Sequence, residues 1–383
     1  MKRKVLILGA GKIGGAIVDL LFATGDYAVT VADSNAAFLK QAAGKKAKAE
    51  KIDVSDMKAL TKIAKGQQAV LSALPFFLNP GVAKVCAEAG AHYFDLTEDV
   101  ETTRAVRAVA KKSNVAFAPQ CGLAPGFISI VAHHLAKKFD SLREVHMRVG
   151  ALPEFPANAL KYNLTWSTDG LINEYCNPCE AIYDSKQVEV MPMEGLETFS
   201  LDGVDYECFN TSGGLGTLCE TLNGKVVSLN YKTVRYPGHR DIMKMLLEDL
   251  RLRDRRDLLK DIMEKSVPIT HQDVVLIFVT VTGMRDGRLT QESYAKKIYA
   301  KEIDGKLMSA IQITTAAGIC AMVDLVREGA LPDRGFVRQE DADLDRFLAN
   351  RFGKHYAGEP TGRRVLAPRN GEKKPRLEAR PSP

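Results

Sequence analysis

Gly9-Ala10-Gly11-Lys12-Ile13-Gly14 follows the apolar run Val5-Leu6-Ile7-Leu8 and opens a segment with apolar residues at Ile13, Ile17, Leu20 and Leu21. A strand, a glycine turn and a helix in that order are what a dinucleotide pyrophosphate site requires. Gly9 permits the tight turn, Gly11 lets backbone approach phosphate, and Gly14 lets the helix pack closely on the strand. The helix's free N–H groups and positive dipole end, with Lys12 and Ile13 in the first turn, face the anion. A second strand, Ala28-Val29-Thr30-Val31-Ala32, ends in Asp33, nineteen residues beyond Gly14. A carboxylate there accepts both ribose hydroxyls and repels a 2′-phosphate, so the signature favours NAD over NADP.

Strand and helix go on alternating to about residue 120. A helix is expected over residues 36–43, a half-buried strand over 47–54, and a helix over 57–65 capped by Ser55 or Asp56. A buried strand over 69–74 ends at Pro75, and Asn79-Pro80 supplies a cap and a first-turn proline for a helix reaching residue 89. Strands over 92–96 and 115–118 flank one more helix. This alternation predicts an α/β chain whose first domain, residues 1–122, is a Rossmann-type doubly wound parallel sheet covered on both faces.

Past Cys121-Gly122 the pattern changes. A helix over 125–139, strands over 145–150, 162–166, 226–229 and 274–282, a turn over 284–288 and a strand over 294–300 predict an inserted α+β domain with a mixed sheet, residues 123–308. Ser167 or Thr168 starts another helix, and residues 241–265 read as one strongly charged helix. The apolar segment 311–328 is expected to be buried and to lead the chain, over 309–356, back onto the cofactor domain.

The 383 residues allow two or three domains, and the composition, 45% hydrophobic and 26% charged, is that of a soluble globular chain. No signal peptide or membrane span is visible, and seven irregularly spaced cysteines suggest reduced thiols in a cytoplasm. The net charge of +6 is local: residues 357–383 hold seven Lys/Arg against three Asp/Glu, which leaves +2 for the body. That argues against a nucleic-acid surface, and the proline-rich tail reads as disordered.

Ligands of such a sheet sit at the carboxyl ends of its strands. Asp53-Val54 is placed for adenine, and Ala73-Leu74-Pro75 for the nicotinamide. Asp95 and Cys121 end neighbouring late strands, where a carboxylate could hold a substrate ammonium and a small thiol would line the pocket. Cys176-Asn-Pro-Cys179 lacks the second half of a zinc site, so no metal is expected. Arg235 offers a planar fork suited to a carboxylate, and His239 could position an amine or relay a proton.

At these residues the chain resembles the saccharopine dehydrogenase-like family, and within it the lysine 6-dehydrogenases. The matching pieces are the glycine fingerprint, Cys121-Gly-Leu-Ala-Pro-Gly126, the segment from Tyr162 to Tyr175, Asn210-Thr-Ser-Gly-Gly214 and the segment from Tyr231 to His239. Ala124 stands where saccharopine reductases often carry an acid. The resemblance implies a homo-oligomer that oxidatively deaminates L-lysine at its ε-carbon with NAD. The product, 2-aminoadipate 6-semialdehyde, cyclises to a piperideine carboxylate. Arg235, Thr211 and Asn163 would bind the amino acid, with Asp95, Cys121 and His239 at the chemistry. A saccharopine or carboxynorspermidine-type dehydrogenase, and an NAD-sensing binding protein, stay open beside it.

Overall fold

In the computed structural model, which describes residues 2–357, two sheets share one continuous hydrophobic core. The tail expected over 357–383 lies outside these residues but for Ala357. β1 (Arg3–Leu8), β2 (Tyr27–Asp33), β3 (Lys48–Lys51), β4 (Ala69–Ser72), β5 (His92–Asp95) and β6 (Ala116–Ala118) lie parallel in the order 3-2-1-4-5-6. The helices between them are α1 (Lys12–Ala23), α2 (Ala36–Ala43), α3 (Met57–Ala64), α4 (Asn79–Ala89) and α5 (Val100–Ala110). Asn35, Asp56 and Asp99 accept the first N–H groups of α2, α3 and α5. Asn79 is not the cap expected of it: a short 3-10 turn, Phe76–Leu78, precedes it, and its side chain takes the Ser72 hydroxyl at 2.7 Å.

α6 (Phe127–Ala136) leads into the second domain, whose sheet runs β10 (Glu197–Leu201), β11 (Val204–Asn210), β12 (Val226–Arg235), β7 (Ser141–Pro153), β13 (Asp273–Arg285), β14 (Arg288–Tyr299). β8 (Cys179–Tyr183) joins β12, and β9 (Lys186–Val190) joins β8. β12 and β7 are parallel and β13 is antiparallel to β7, so the sheet is mixed. Asp286 and Gly287, both with positive φ, close the β13–β14 hairpin in the way a two-residue loop requires. Three further helices, α7 (Thr168–Cys176), α8 (Leu218–Leu222) and α9 (His239–Lys244), decorate this sheet.

Two expectations give way here. Residues 162–166 form no strand beyond a single bridge from Leu164 to Ile269, because loop partners such as the Asn158 side chain and the Pro268 carbonyl satisfy that backbone. The charged segment 241–265 is not one helix. It breaks after α9 through a π turn and Arg251, whose φ is +54, and restarts as α10 (Arg256–Ser266). The break lets Met243, Leu247, Leu252, Leu259 and Met263 enter one buried cluster.

After the small hairpin of β15 (Lys301–Ile303) and β16 (Lys306–Met308), α11 (Ala310–Arg327) returns to the first domain. Its length and hydropathy would suit a membrane span, but 89% of it is buried inside the protein. Asp273 accepts the Ala310 and Ile311 N–H groups, and Ser309 with Gln312 completes a capping box, so β13 grips the start of the helix. β17 (Gly335–Phe336) then pairs in parallel with β6 as the seventh strand, and α12 (Leu344–Ala349) follows. The second domain is therefore threaded into the first.

Near the end of α11, Asp324 is fully buried and accepts the Tyr27 hydroxyl at 2.6 Å, the Asn350 amide at 3.1 Å and both Nε and Nη2 of Arg351. Asp324→Ala strands these donors and should cost about 3–5 kcal/mol in urea unfolding. Asp261→Ala, which removes only an exposed pair with Lys265, should change stability by less than about 0.5 kcal/mol. Equal effects would show that the Asp324 cluster does not tie the returning helix down.

Candidate active site

The carboxyl ends of the first sheet and the inner face of the second meet at a cavity of about 260 Å³. Ile13, Ala73, Leu74 and Pro75 border it from the glycine-turn side, with Leu96, Glu98 and the Gly122–Pro125 corner beside them. Val149, Tyr231, Thr233 and Arg235 come from the second sheet, Trp166 and Glu174 from α7 and its approach, and Ile311 from α11.

The glycine turn fits a dinucleotide. A Cβ on Gly9, where φ is +92, would lie 2.8 Å from the Ala73 carbonyl oxygen, and one on Gly14 only 1.8 Å from the Gly9 oxygen. Beside Gly11 nothing lies within 4 Å, so that face is open for backbone contact with a ligand. No side chain caps the start of α1 and no acid sits in its first turn, so the N–H groups around Lys12 and Ile13 suit an anion. Asp33 ends β2 and accepts the Ala10 and Asn35 N–H groups, each at 2.7 Å, which ties the ribose-side carboxylate to the turn. Asp53 closes a turn on Ser55 at the exposed edge, while Val54 packs into a side core; neither borders the cavity.

Arg235 ends β12 and is buried in the cavity wall. Its Nε donates to the Tyr175 hydroxyl at 2.8 Å, its Nη1 to the Val234 carbonyl at 2.8 Å, and the Tyr162 ring lies 5.1 Å beneath it. Nη2 makes no hydrogen bond among the described residues, so one edge of the fork remains for a ligand. His239 does not reach the cavity. Its Nδ1 meets the Leu160 carbonyl at 2.9 Å, which must accept, so Nδ1 carries the proton and Nε2 accepts the Tyr175 hydroxyl at 3.0 Å. Burial, reinforced by Arg235, holds His239 neutral down to about pH 3. The chain Leu160–His239–Tyr175–Arg235 thus orients a guanidinium from behind.

Asp95, expected to face an amine, is sealed below the cavity. It accepts the Tyr93 hydroxyl at 2.5 Å, the Thr97 N–H at 3.0 Å and the Gln120 N–H at 2.8 Å, and burial raises its pKa to about 6 against those bonds. It closes the strand-end turn instead of entering the pocket. Cys121 is buried too, its thiol donating to the Ala118 carbonyl and its pKa pushed well up by burial. Asn163 bonds the Pro268 carbonyl behind the wall, and the Thr211 hydroxyl is buried without a partner among the described residues.

Glu98, at the end of the strand-end stretch from Asp95, and Glu174 are cavity acids to which the sequence reading gave no role. Glu98 lies three residues beyond Asp95, with Oε1 buried and unbonded, and burial followed by nearby acids raises its pKa to about 7. The Asn210–Gly214 motif explains its position. A Cβ on Gly213 would fall 2.2 Å from the Glu98 carbonyl oxygen, and one on Gly214 2.2 Å from the Tyr231 ring. These glycines let the loop support two lining residues from below.

His239→Phe removes the acceptor behind Tyr175 and should weaken carboxylate binding in the cavity about tenfold, with dinucleotide affinity unchanged by calorimetry. His239→Gln, which keeps an acceptor oxygen, should recover most of that loss. Equal losses in both variants would overturn the positioning role.

The two halves match two family models: saccharopine dehydrogenase NADP binding domain over residues 5–119 and saccharopine dehydrogenase C-terminal domain over residues 122–356. The saccharopine dehydrogenase [NADP(+), L-glutamate-forming] of Saccharomyces cerevisiae is 27% identical over 276 residues, covering 66% of this chain and 59% of the yeast protein. The mitochondrial alpha-aminoadipic semialdehyde synthase of Bos taurus is 22% identical over 322 residues, 78% of this chain and 33% of the bovine one. This chain thus spans less than two thirds of either relative's length. The apo yeast saccharopine dehydrogenase structure has the same fold, with a TM-score of 0.75 at 19% identity, covering 91% of this chain and 97% of that one. With both halves matched in order, the chain belongs to the saccharopine dehydrogenase family of oxidoreductases.

Proposed function

We propose that this chain oxidises the distal primary amine of a dibasic amino acid, L-lysine at its ε-carbon first among them, with NAD as acceptor. The cavity's charges carry the reading. Arg235 is the cation among its lining residues, Glu98 and Glu174 form no ion pair among the described residues, and Asp169 is taken by Lys260 at 2.6 Å. L-Lysine brings one carboxylate and two ammonium groups, which that set complements. Saccharopine brings three carboxylates, more than a single guanidinium can answer.

The balanced reaction is R–CH2–NH3+ + NAD+ + H2O → R–CHO + NH4+ + NADH + H+. A bound nicotinamide would supply the hydride acceptor, held by the glycine turn, the start of α1 and Asp33. The chain's own residues do the rest. Arg235 fixes the carboxylate, which sets the distance to the reacting carbon. Glu98, ionised, takes the proton that the ammonium must lose before a hydride can leave its carbon. A free ammonium holds that proton with a pKa of about 10.4, and the apolar wall of Val149, Leu123 and Trp166 weakens its hold by desolvation.

The NADP in the family model's name bears on the coenzyme. Asp33 offers a carboxylate where a 2′-phosphate would sit, and residues 34–37 hold no base; Lys51, opposite Asp33 in the β2–β3 register, is the nearest candidate cation by register. Asp33→Ala should improve the NADP-to-NAD ratio of kcat/KM by about tenfold or more. An unchanged ratio would sink the NAD assignment.

Purified protein with L-lysine and NAD should give NADH and ammonia in equal amounts. Glutamate release from saccharopine instead, or cofactor binding without reduction, would favour the other two readings. Glu98→Gln should lower kcat/KM by about 10²–10⁴ and remove an acid limb near pH 7. Because burial raises this carboxyl above its unfolded value, its ionisation costs stability as pH climbs from about 4.5 to 7. The same variant should therefore melt higher at pH 8, by about 2–4 °C. A stable variant that keeps both activity and the limb would remove Glu98 from the mechanism.

A further inference from the structure

Glu174 is 5% exposed and borders the cavity, yet its carboxyl makes no hydrogen bond or ion pair among the described residues. Arg235 borders the same cavity with one edge of its fork unbonded. A guanidinium and a carboxyl facing one space close into contact unless something holds them apart. Here Arg235 is tied back by the Tyr175 hydroxyl and the Val234 carbonyl, and α7 is fixed where the Ser212 N–H donates to the Glu174 carbonyl at 3.0 Å. Glu174 and Tyr175 are consecutive on α7, so the acid and the anchor of the guanidinium move as one body. What results is a cation and an acid held apart across a space, a geometry complementary to a small zwitterion.

We propose that Glu174 and Arg235 form a clamp for the head of an α-amino acid, Arg235 taking the carboxylate and Glu174 the α-ammonium, which leaves Glu98 to the amine that is oxidised. This rests on the amino-acid reading of the cavity given above. Glu174 is then the specificity-determining residue that separates α-amino acids from ω-amino acids of the same length. Burial pushes its pKa well above the usual carboxylate range, with Arg235 opposing and Glu98 adding to the rise. Burial thus favours the protonated carboxyl before a ligand arrives, an ammonium in contact with it favours the ionised form, and a proton displaced in this way passes to solvent.

6-Aminohexanoate is L-lysine with its α-amino group replaced by hydrogen, so the pair isolates the contact. Calorimetry on the NADH-bound protein, in two buffers of different ionisation heat, should show L-lysine binding about 30-fold tighter and releasing up to one more proton. Glu174→Gln should bring the two ligands within about threefold of each other and abolish the difference in proton release, with NADH affinity kept and no loss of melting temperature. A variant that weakens both ligands equally, or neither, overturns the clamp. If Glu174→Gln does not fold, Glu174→Asp serves: it pulls the charge back by one methylene and should lower L-lysine affinity about tenfold while sparing 6-aminohexanoate. An unchanged ratio there also overturns it. Wild-type protein that discriminates the ligands but reduces no NAD with L-lysine keeps the clamp and overturns the proposed reaction. Turnover without discrimination does the reverse.

Discussion

An acid walled in without an ionic partner is among the least tolerable features of a protein interior, and this fold keeps two of them around one cavity. Glu98 Oε1 is buried without a hydrogen bond and Glu174 forms no ion pair among the described residues, while other buried acids are matched closely. Asp324 has Tyr27, Asn350 and Arg351, and Asp273 has two N–H groups of α11. The contrast locates the site more sharply than the shape of the cavity does. A chain selected only for stability would have paired or replaced those two acids.

Both architectures are needed to keep that arrangement. The parallel sheet brings the glycine turn, the Ala73–Pro75 corner and Glu98 to one edge, because every crossover returns the chain in the same direction. The mixed sheet brings Tyr231, Thr233 and Arg235 from alternate positions of β12 to the facing side. α11 holds the two in register, capped from β13 at one end and clamped to β2 and the Arg351 segment at the other.

Much of this was legible in the residues. The glycine turn, the parallel sheet, the change of pattern near Cys121 and the return of an apolar helix all follow from local periodicity and turn chemistry. Arg235 was recognisable because its planar fork stands in a stretch too polar for core. Asp95 misled for a definable reason: the end of a strand fixes where a residue lies, but not whether its carboxyl turns outward or bonds back to the N–H groups of Thr97 and Gln120. Glu174 lay inside a segment quoted for its resemblance, but on a helix whose buried side cannot be told from its pattern alone. His239, read as able to position an amine or relay a proton, bonds the Tyr175 hydroxyl instead, a relation between residues 64 positions apart that no spacing reveals. The charged segment after it broke because its apolar residues needed one cluster, a tertiary demand.

The threading of one domain into the other also governs how the chain can be made. β6, whose three residues are all buried, gains its outer neighbour only from Gly335–Phe336, more than two hundred positions later. During synthesis the six-stranded sheet therefore waits with an apolar border bare while the whole second domain emerges from the ribosome. Closure of that border is a contact of high sequence separation, formed late and slowly. A nascent or truncated chain ending before it carries an open strand edge, the surface on which self-association begins.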